Sequence, residues 1–292
     1  MPVNVAITQQ GDRYLATVDG GAPFEVARRV TYKGASPTVG LSNLKTPGAK
    51  YDAAAYRAQF GFWADFIVPT CMAESNGAFN CLNTYDRAFF TFTFLQYAAH
   101  VPNGDFVKYF RLLLAEPEAA DYFPDLSLRN GRIWGAVQLE NDTTTQPLMT
   151  YFNPSVQDVE TAEAINAAKM VHWCEHAASH REIQVRCGVE HFKAAMQSYS
   201  KRYQLDGRLD QVCLVVADIR HQGRGSSQEI LTALATGGDE NLAYRNLLDI
   251  GRAKFPQRIA TIEREVVRLQ QAGILGSYLY NDAQGDFIRA MG

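Results

Sequence analysis

Past Asn153-Pro154-Ser155 the chain is dominated by one pattern, an apolar residue returning every three or four positions between short polar breaks. The spacing predicts helices near 156–180, 187–202, 207–221, 226–236, 239–252 and 255–273. The last shows the reason most clearly. Ile259, Ile262, Val266 and Leu269 line one side, with Glu and Arg on the other, so a single stripe must be withdrawn from water. A chain built this way has to bury its stripes against neighbouring elements, and helix packing is expected to dominate this half.

The first fifty residues read differently. Val3, Val5 and Ile7 alternate, Gly11-Asp12 can turn, and Tyr14, Ala16 and Val18 alternate again. Gly20-Gly21 makes a second turn, and the Gly, Ser, Pro and Thr residues from Lys33 to Lys50 read as a linker. From Tyr51 the period changes: Tyr56, Phe60, Trp63 and Ile67 share a helical face, Asp52 suits an N-cap, and Pro69 is expected to end or kink that helix. Phe90, Phe92 and Phe94 alternate with Thr91 and Thr93 as in a short strand, the phenylalanines being core. Pro102-Asn103-Gly104-Asp105 leads into a helix carrying Phe106, Phe110 and Leu113. Residues 124–152 form a second β excursion with Asn130-Gly131 as its hairpin turn. The expected fold class is mainly α (α+β): a helical domain over 51–292 with a small β excursion, preceded at 1–50 by an N-terminal β arm or small subdomain with its linker.

At 292 residues, 47% hydrophobic and 20% charged, the chain has enough apolar material for a deep core and is not disordered. A net charge of −3 and the lack of a basic stripe speak against nucleic acid as a partner. No basic-then-apolar leader opens the sequence, and no run reaches the roughly 18 apolar residues of a membrane span. Cytoplasmic synthesis without a signal peptide is therefore expected; a substrate outside that compartment would require non-classical delivery or lysis. Cys71, Cys81, Cys174, Cys187 and Cys213 are odd in number and contain no Cys-x-x-Cys pair, which points to buried thiols, with a local Cys71–Cys81 bridge as the alternative.

The chemistry-bearing segment is Met72-Ala73-Glu74-Ser75-Asn76-Gly77-Ala78-Phe79-Asn80, then Leu82-Asn83-Thr84-Tyr85-Asp86, then Thr91-Phe92-Thr93-Phe94-Leu95-Gln96. Glycoside cleavage needs a carboxylic acid that still carries its proton near neutral pH. A glutamate at the end of an apolar helix suits that task, because desolvation raises its pKa. Phe60, Phe62, Trp63, Phe79 and Phe90 are candidates for the apolar wall around Glu74. Asp86 is the nearest second carboxylate, to assist water or the developing cation.

This segment resembles the lysozyme-like superfamily, in which Glu-Ser is followed by a loop, an acidic or Asn-rich turn and Ser-Phe-Gly-x-x-Gln. Goose-type lysozymes, lytic transglycosylases and phage endolysins share the theme. Over residues 71–97 the resemblance implies that Glu74 is the general acid and that Gln96 lines a sugar cleft. Where the family usually has Gly, this chain has Thr93, whose β-branched side chain narrows a close backbone approach. A second resemblance lies downstream. Val216-Ala217-Asp218-Ile219-Arg220-His221-Gln222-Gly223-Arg224-Gly225 and Glu240–Arg252 are similar to two successive helices of bacterial chitosanases.

The implied function is a glycoside hydrolase acting on a β-1,4-linked amino-sugar polymer, with Glu74 and Asp86 catalytic. Asn83, Tyr85, Thr91, Thr93, Gln96 and Asp218 are the candidate substrate contacts. Peptidoglycan is the leading substrate, chitosan the alternative, and a non-catalytic cell-wall-binding or structural module the third reading. The expected partner is the polysaccharide, with no cofactor, no nucleic acid and no membrane span; delivery machinery and an immunity protein stay open. His172, His176 and His180, spaced by four, are expected on one polar helix face rather than around a metal, and no Gly-x-Ser-x-Gly, phosphate-loop or dinucleotide motif is present.

Overall fold

The computed structural model describes residues 1–34, 36–44, 46 and 48–290. Four strands open the chain, β1 (Val5–Gln10), β2 (Arg13–Val18), β3 (Phe24–Tyr32) and β4 (Thr38–Ser42), each antiparallel to the next. The alternation seen in the sequence is the pleat at work: Tyr14, Ala16 and Val18 of β2 are buried, while Arg13, Leu15 and Thr17 are partly exposed. Gly11 turns the first hairpin at φ +64°. Strand β4 occupies part of the stretch expected to be a linker. Its Gly40 is there for closeness, since a Cβ at that position would come within 2.6 Å of Thr84 Oγ1.

The sheet continues beyond β4. Ser42 pairs with Asn83, and β5 (Leu82–Asn83), β6 (Thr91–Phe92) and β7 (Tyr97–Ala98) complete seven antiparallel strands in sequence order. The mainly-α expectation with a separate N-terminal arm is thereby corrected. Helix takes 45% and strand 17% of the chain, and the strands of the first fifty residues are one sheet with those of 82–98. The cause is legible in the side chains. Thr84 Oγ1 accepts the Leu41 N–H at 2.6 Å, and Asn43 accepts from Leu82 N and donates to the Asn80 carbonyl, both at 2.7 Å. Strands of two residues carry no period, so these side-chain ties, not a hydrophobic pattern, extend the sheet.

The chain divides into two compact units, Met1–Tyr51 with Ala78–Cys187, and Asp52–Gly77 with Gly188–Gly292. In the first, the sheet is joined by α4 (Asp105–Leu114), α5 (Ala119–Tyr122), the hairpin β8 (Ser127–Arg129) and β9 (Arg132–Trp134), α6 (Gln146–Phe152) and α7 (Thr161–His176). Asn130 and Gly131 turn that hairpin with φ of +52° and +71°, as the Asn-Gly pair implies. Helix α7 lies on β1, β2 and β3. Phe90, Phe92 and Phe94 have no exposed surface, and Phe90 packs into a cluster with Phe106 and Phe152, so the stripe is core.

The second unit is helical. It contains α1 (Arg57–Phe60), α2 (Phe62–Phe66), α3 (Val68–Ser75), the later part of α8 (Ala178–Tyr203), α9 (Asp210–Gln222), α10 (Ser227–Leu234), α11 (Glu240–Asp249), α12 (Pro256–Gln271), and a hairpin of β10 (Tyr278–Asn281) with β11 (Asp286–Arg289). The expected 51–67 helix is broken by Gly61, at φ +58°. Pro69 does not stop a helix; it sits in the first turn of α3, where its missing N–H is harmless. Helix α3 packs on α12, whose Ile259, Ile262, Val266 and Leu269 are each at most 1% exposed. Burial of that stripe contributes roughly 1.5–3 kcal/mol per side chain, and it holds the base on which the candidate site stands.

Candidate functional site

Helix α3 carries Glu74 in its last turn. The helix stops there because Asn76 and Gly77 adopt left-handed backbone, φ +53° and +74°, while their N–H groups return to Met72 and Cys71 carbonyls at 3.1 and 3.3 Å. Helix α9 presents Asp218 and His221, three residues apart and hence on one face. Gly223 ends α9 at φ +70°, releasing Arg224, and Arg258 comes from the first turn of α12.

These side chains form a continuous array. Arg258 Nη1 donates to Glu74 Oε1 at 2.7 Å, and its Nη2 and Nε donate to Asp218 Oδ1 and Oδ2 at 2.6 and 3.4 Å. Asp218 Oδ2 also accepts from Arg224 Nε, and Asp218 Oδ1 from the Thr70 hydroxyl, both at 3.3 Å. Arg224 Nη1 donates to the Ile250 carbonyl. His221 Nε2 lies 3.4 Å from Glu74 Oε1. The Asp218 and Arg224 side chains are fully buried, Arg258 is 8% exposed and Glu74 15%. Alternating signs compensate the loss of hydration, which buried charges otherwise could not sustain.

The electrostatics differ from the expectation of a proton-bearing acid in an apolar recess. Burial pushes the Glu74 carboxyl up, but the His221 hydrogen bond and the Arg258 charge together outweigh it and hold the group below the usual carboxylate range. Burial pushes His221 down, yet Glu74 raises it above an ordinary imidazole. Each group thus favours the charged form of the other. Of the expected apolar wall, Phe62 and Trp63 pack instead with Phe66 and Phe287. Arg258 donates to Oε1, and His221 Nε2 faces that same oxygen.

Asp218 was expected to touch substrate. With no exposed surface and both oxygens occupied, it faces Arg258 rather than open space. The other expected contacts gather in one stretch of the sheet-bearing unit. Asp86 accepts from Ala88 N at 2.8 Å and from Asn83 Nδ2 at 3.3 Å, an Asx turn in which both its oxygens serve the loop. Asn83 Oδ1 accepts the Tyr85 N–H at 3.2 Å, and the Tyr85 ring stacks on Tyr32 at 6.0 Å. Thr91 is 5% exposed within β6. Gln96, at φ +56°, donates to the Cys81 and Thr93 carbonyls at 3.2 and 3.1 Å and so closes the turn into β7. Thr93 is fully buried with φ +93°, a conformation natural to glycine and strained for a β-branched residue. The resemblance placed Gly at this position.

His172 and His176 stack at 4.0 Å at the end of α7, whereas His180 does not share their face. Ala177, at φ −114° and ψ 120°, separates α7 from α8 and turns His180 into the core beside Tyr109. All five cysteines are buried, and none forms a disulfide. Among the described residues no group of three or more His, Cys, Asp or Glu is placed to hold a metal ion, and no helix is long and apolar enough to cross a membrane.

Sequence reasoning missed Arg258 and did not single out His221 or Arg224. Asp218 and His221, i and i+3 on a buried helix, were the available signal; Arg258 lies 184 residues from Glu74 and carried none. Comparison with protein-family models, with curated proteins and with solved structures returns no match for this chain.

Proposed function

We propose that this protein cleaves a β-1,4-linked amino-sugar polymer, with Glu74 handing a proton to the glycosidic oxygen. The observation that carries the reading is the largely buried Glu74 carboxylate, fixed by Arg258 at 2.7 Å with His221 Nε2 3.4 Å from the same oxygen. Such a group is oriented before substrate arrives, which is where much of the advantage of acid–base catalysis lies. Its resting charge means that it must acquire the proton as sugar covers the site and water leaves.

Peptidoglycan is the leading substrate. Chitosan is the second reading, favoured by the way Arg258 ties Glu74 to Asp218 and Arg224, both within the chitosanase-like segment. The test is digestion of purified peptidoglycan and of chitosan by the wild type and by Glu74→Gln, with fragments identified by mass. The expected outcome is fragment release from one polymer and a loss of about a hundredfold or more in the variant. Release of 1,6-anhydro ends would mark a lytic transglycosylase rather than a hydrolase, and an undiminished Asp86→Asn variant would remove the second-carboxylate role. Binding without cleavage by the wild type would replace the enzyme reading by a cell-wall-binding module.

A further inference from the structure

Two cationic donors share Glu74 Oε1, and they differ in kind. Arg258 keeps its proton under all ordinary conditions, whereas an imidazole can release one near neutrality. Glu74, Arg258, Asp218 and Arg224 are two carboxylates and two guanidinium groups, whose charges cancel. His221 is the fifth member, and its proton is the surplus one.

The ring is held firmly for that role. It stacks on Phe192 with centroids 5.6 Å apart at 28°, and meets His191 edge-on at 5.8 Å and 80°. Its side chain is 13% exposed. The charged and titratable groups around it are Glu74 from α3, Arg258 from α12, Asp218 from its own helix and His191 from α8.

We propose that His221 is a positioning residue that stores the proton Glu74 delivers. This rests on the reading of Glu74 as proton donor and adds where its proton comes from. In the open site water sustains the separated charges, carboxylate and imidazolium. When a sugar ring covers the site, the local dielectric falls and the neutral pair, carboxylic acid and imidazole, becomes the better state. The Nε2–H bond breaks and an O–H bond forms on Glu74. That proton then passes to the glycosidic oxygen, which also takes the electron pair of the breaking C–O bond. Water adds to the anomeric carbon left electron-deficient, the proton it releases restores His221, and Glu74 returns to carboxylate. The net charge of the five groups does not change during the internal transfer, so a nearly closed site can carry it out.

The test has two arms on the full chain. In the first, the His221 imidazole is titrated by nitrogen-15 NMR in the wild type and in Glu74→Gln. The stored-proton arrangement requires a proton affinity about tenfold or more higher in the wild type. In the second, cleavage of solubilised peptidoglycan and of chitosan oligomers is followed against pH for the wild type and His221→Gln. The expected loss is about tenfold or more at pH 7, shrinking to less than about threefold near pH 4.5, where Glu74 takes its proton from solvent. Equal titration in both proteins, or a loss uniform across pH, overturns the proposal. Should His221→Gln fail to fold, the titration of Glu74→Gln decides alone. Absence of coupling in a protein that cleaves removes only the proton store; coupling in a protein that cleaves neither polymer removes the proton-donor reading instead.

Discussion

Each unit of this molecule buries a glutamate on a helix, and the two carboxyls are shifted in opposite directions. In the sheet-bearing unit, Glu163 of α7 is fully buried, accepts the Thr84 hydroxyl and the Glu160 N–H, and has no cationic partner among the described residues. Burial pushes its carboxyl up to about 7. In the helical unit, Glu74 is also largely withdrawn from water, yet Arg258 and His221 hold it below the usual range. Glu140, again in the first unit, settles which factor matters. It is fully buried like Glu163, but Arg111 and Arg132 pair with it, and against the upward push of burial they leave it lowered. Burial sets the stakes, and the partner on the carboxylate decides the outcome.

The comparison breaks most visibly at Arg258. Replacing it with Ala strands Glu74 and Asp218 without their shared cation, and a loss of about 3–5 kcal/mol is expected in urea unfolding. A loss below about 1 kcal/mol would mean that the array is not what compensates the buried charges.

The next effect is the pH dependence of Glu163. Its folded value lies above the ordinary carboxylate value, so its contribution to stability is full below about pH 4.5 and is lost as pH rises through about 7. The swing is about 3 kcal/mol, and Glu163→Gln, which can keep the capping box, should flatten it. Glu74 has the opposite sign. Its contribution is present above the ordinary carboxylate value and lost as pH falls through its lowered one, so Glu74→Gln should flatten the acid side alone. Unfolding midpoints measured between pH 3 and 8 for both variants check the contrast; parallel curves for the two would sink it.

The smallest expected effect is at Thr93. Gly there removes strain of about 1–3 kcal/mol against roughly 1 kcal/mol of added chain entropy and a 3.3 Å bond from Leu95 N to Thr93 Oγ1. A net gain of up to about 1 kcal/mol is expected in the thermal midpoint of Thr93→Gly. A clear loss would show that packing of the threonine outweighs its backbone.

Much of the helical unit was legible in advance. The stripe of α12 follows from local periodicity. In the sheet-bearing unit the Asn-Gly turn of the β8–β9 hairpin and the buried phenylalanines at 90, 92 and 94 follow from turn chemistry and alternation. The seven-stranded sheet did not, because β5, β6 and β7 are two residues long and Gly40 passes for linker until its neighbour Thr84 is known. Glu74 was reachable from its segment; its proton state was not.

By itself the sequence determined where most helices lie and that a carboxylate stands at the end of an apolar helix. These depend on residues within a few positions of one another, where sterics and hydrophobic period act directly. Tertiary structure alone decided that the sheet has seven strands, that Asp218 lies behind Glu74, and that Arg258 and His221 govern its proton. Charge pairing depends on distance in space, and these partners are brought to Glu74 from 147 and 184 residues away along the chain by the packing of α9 and α12.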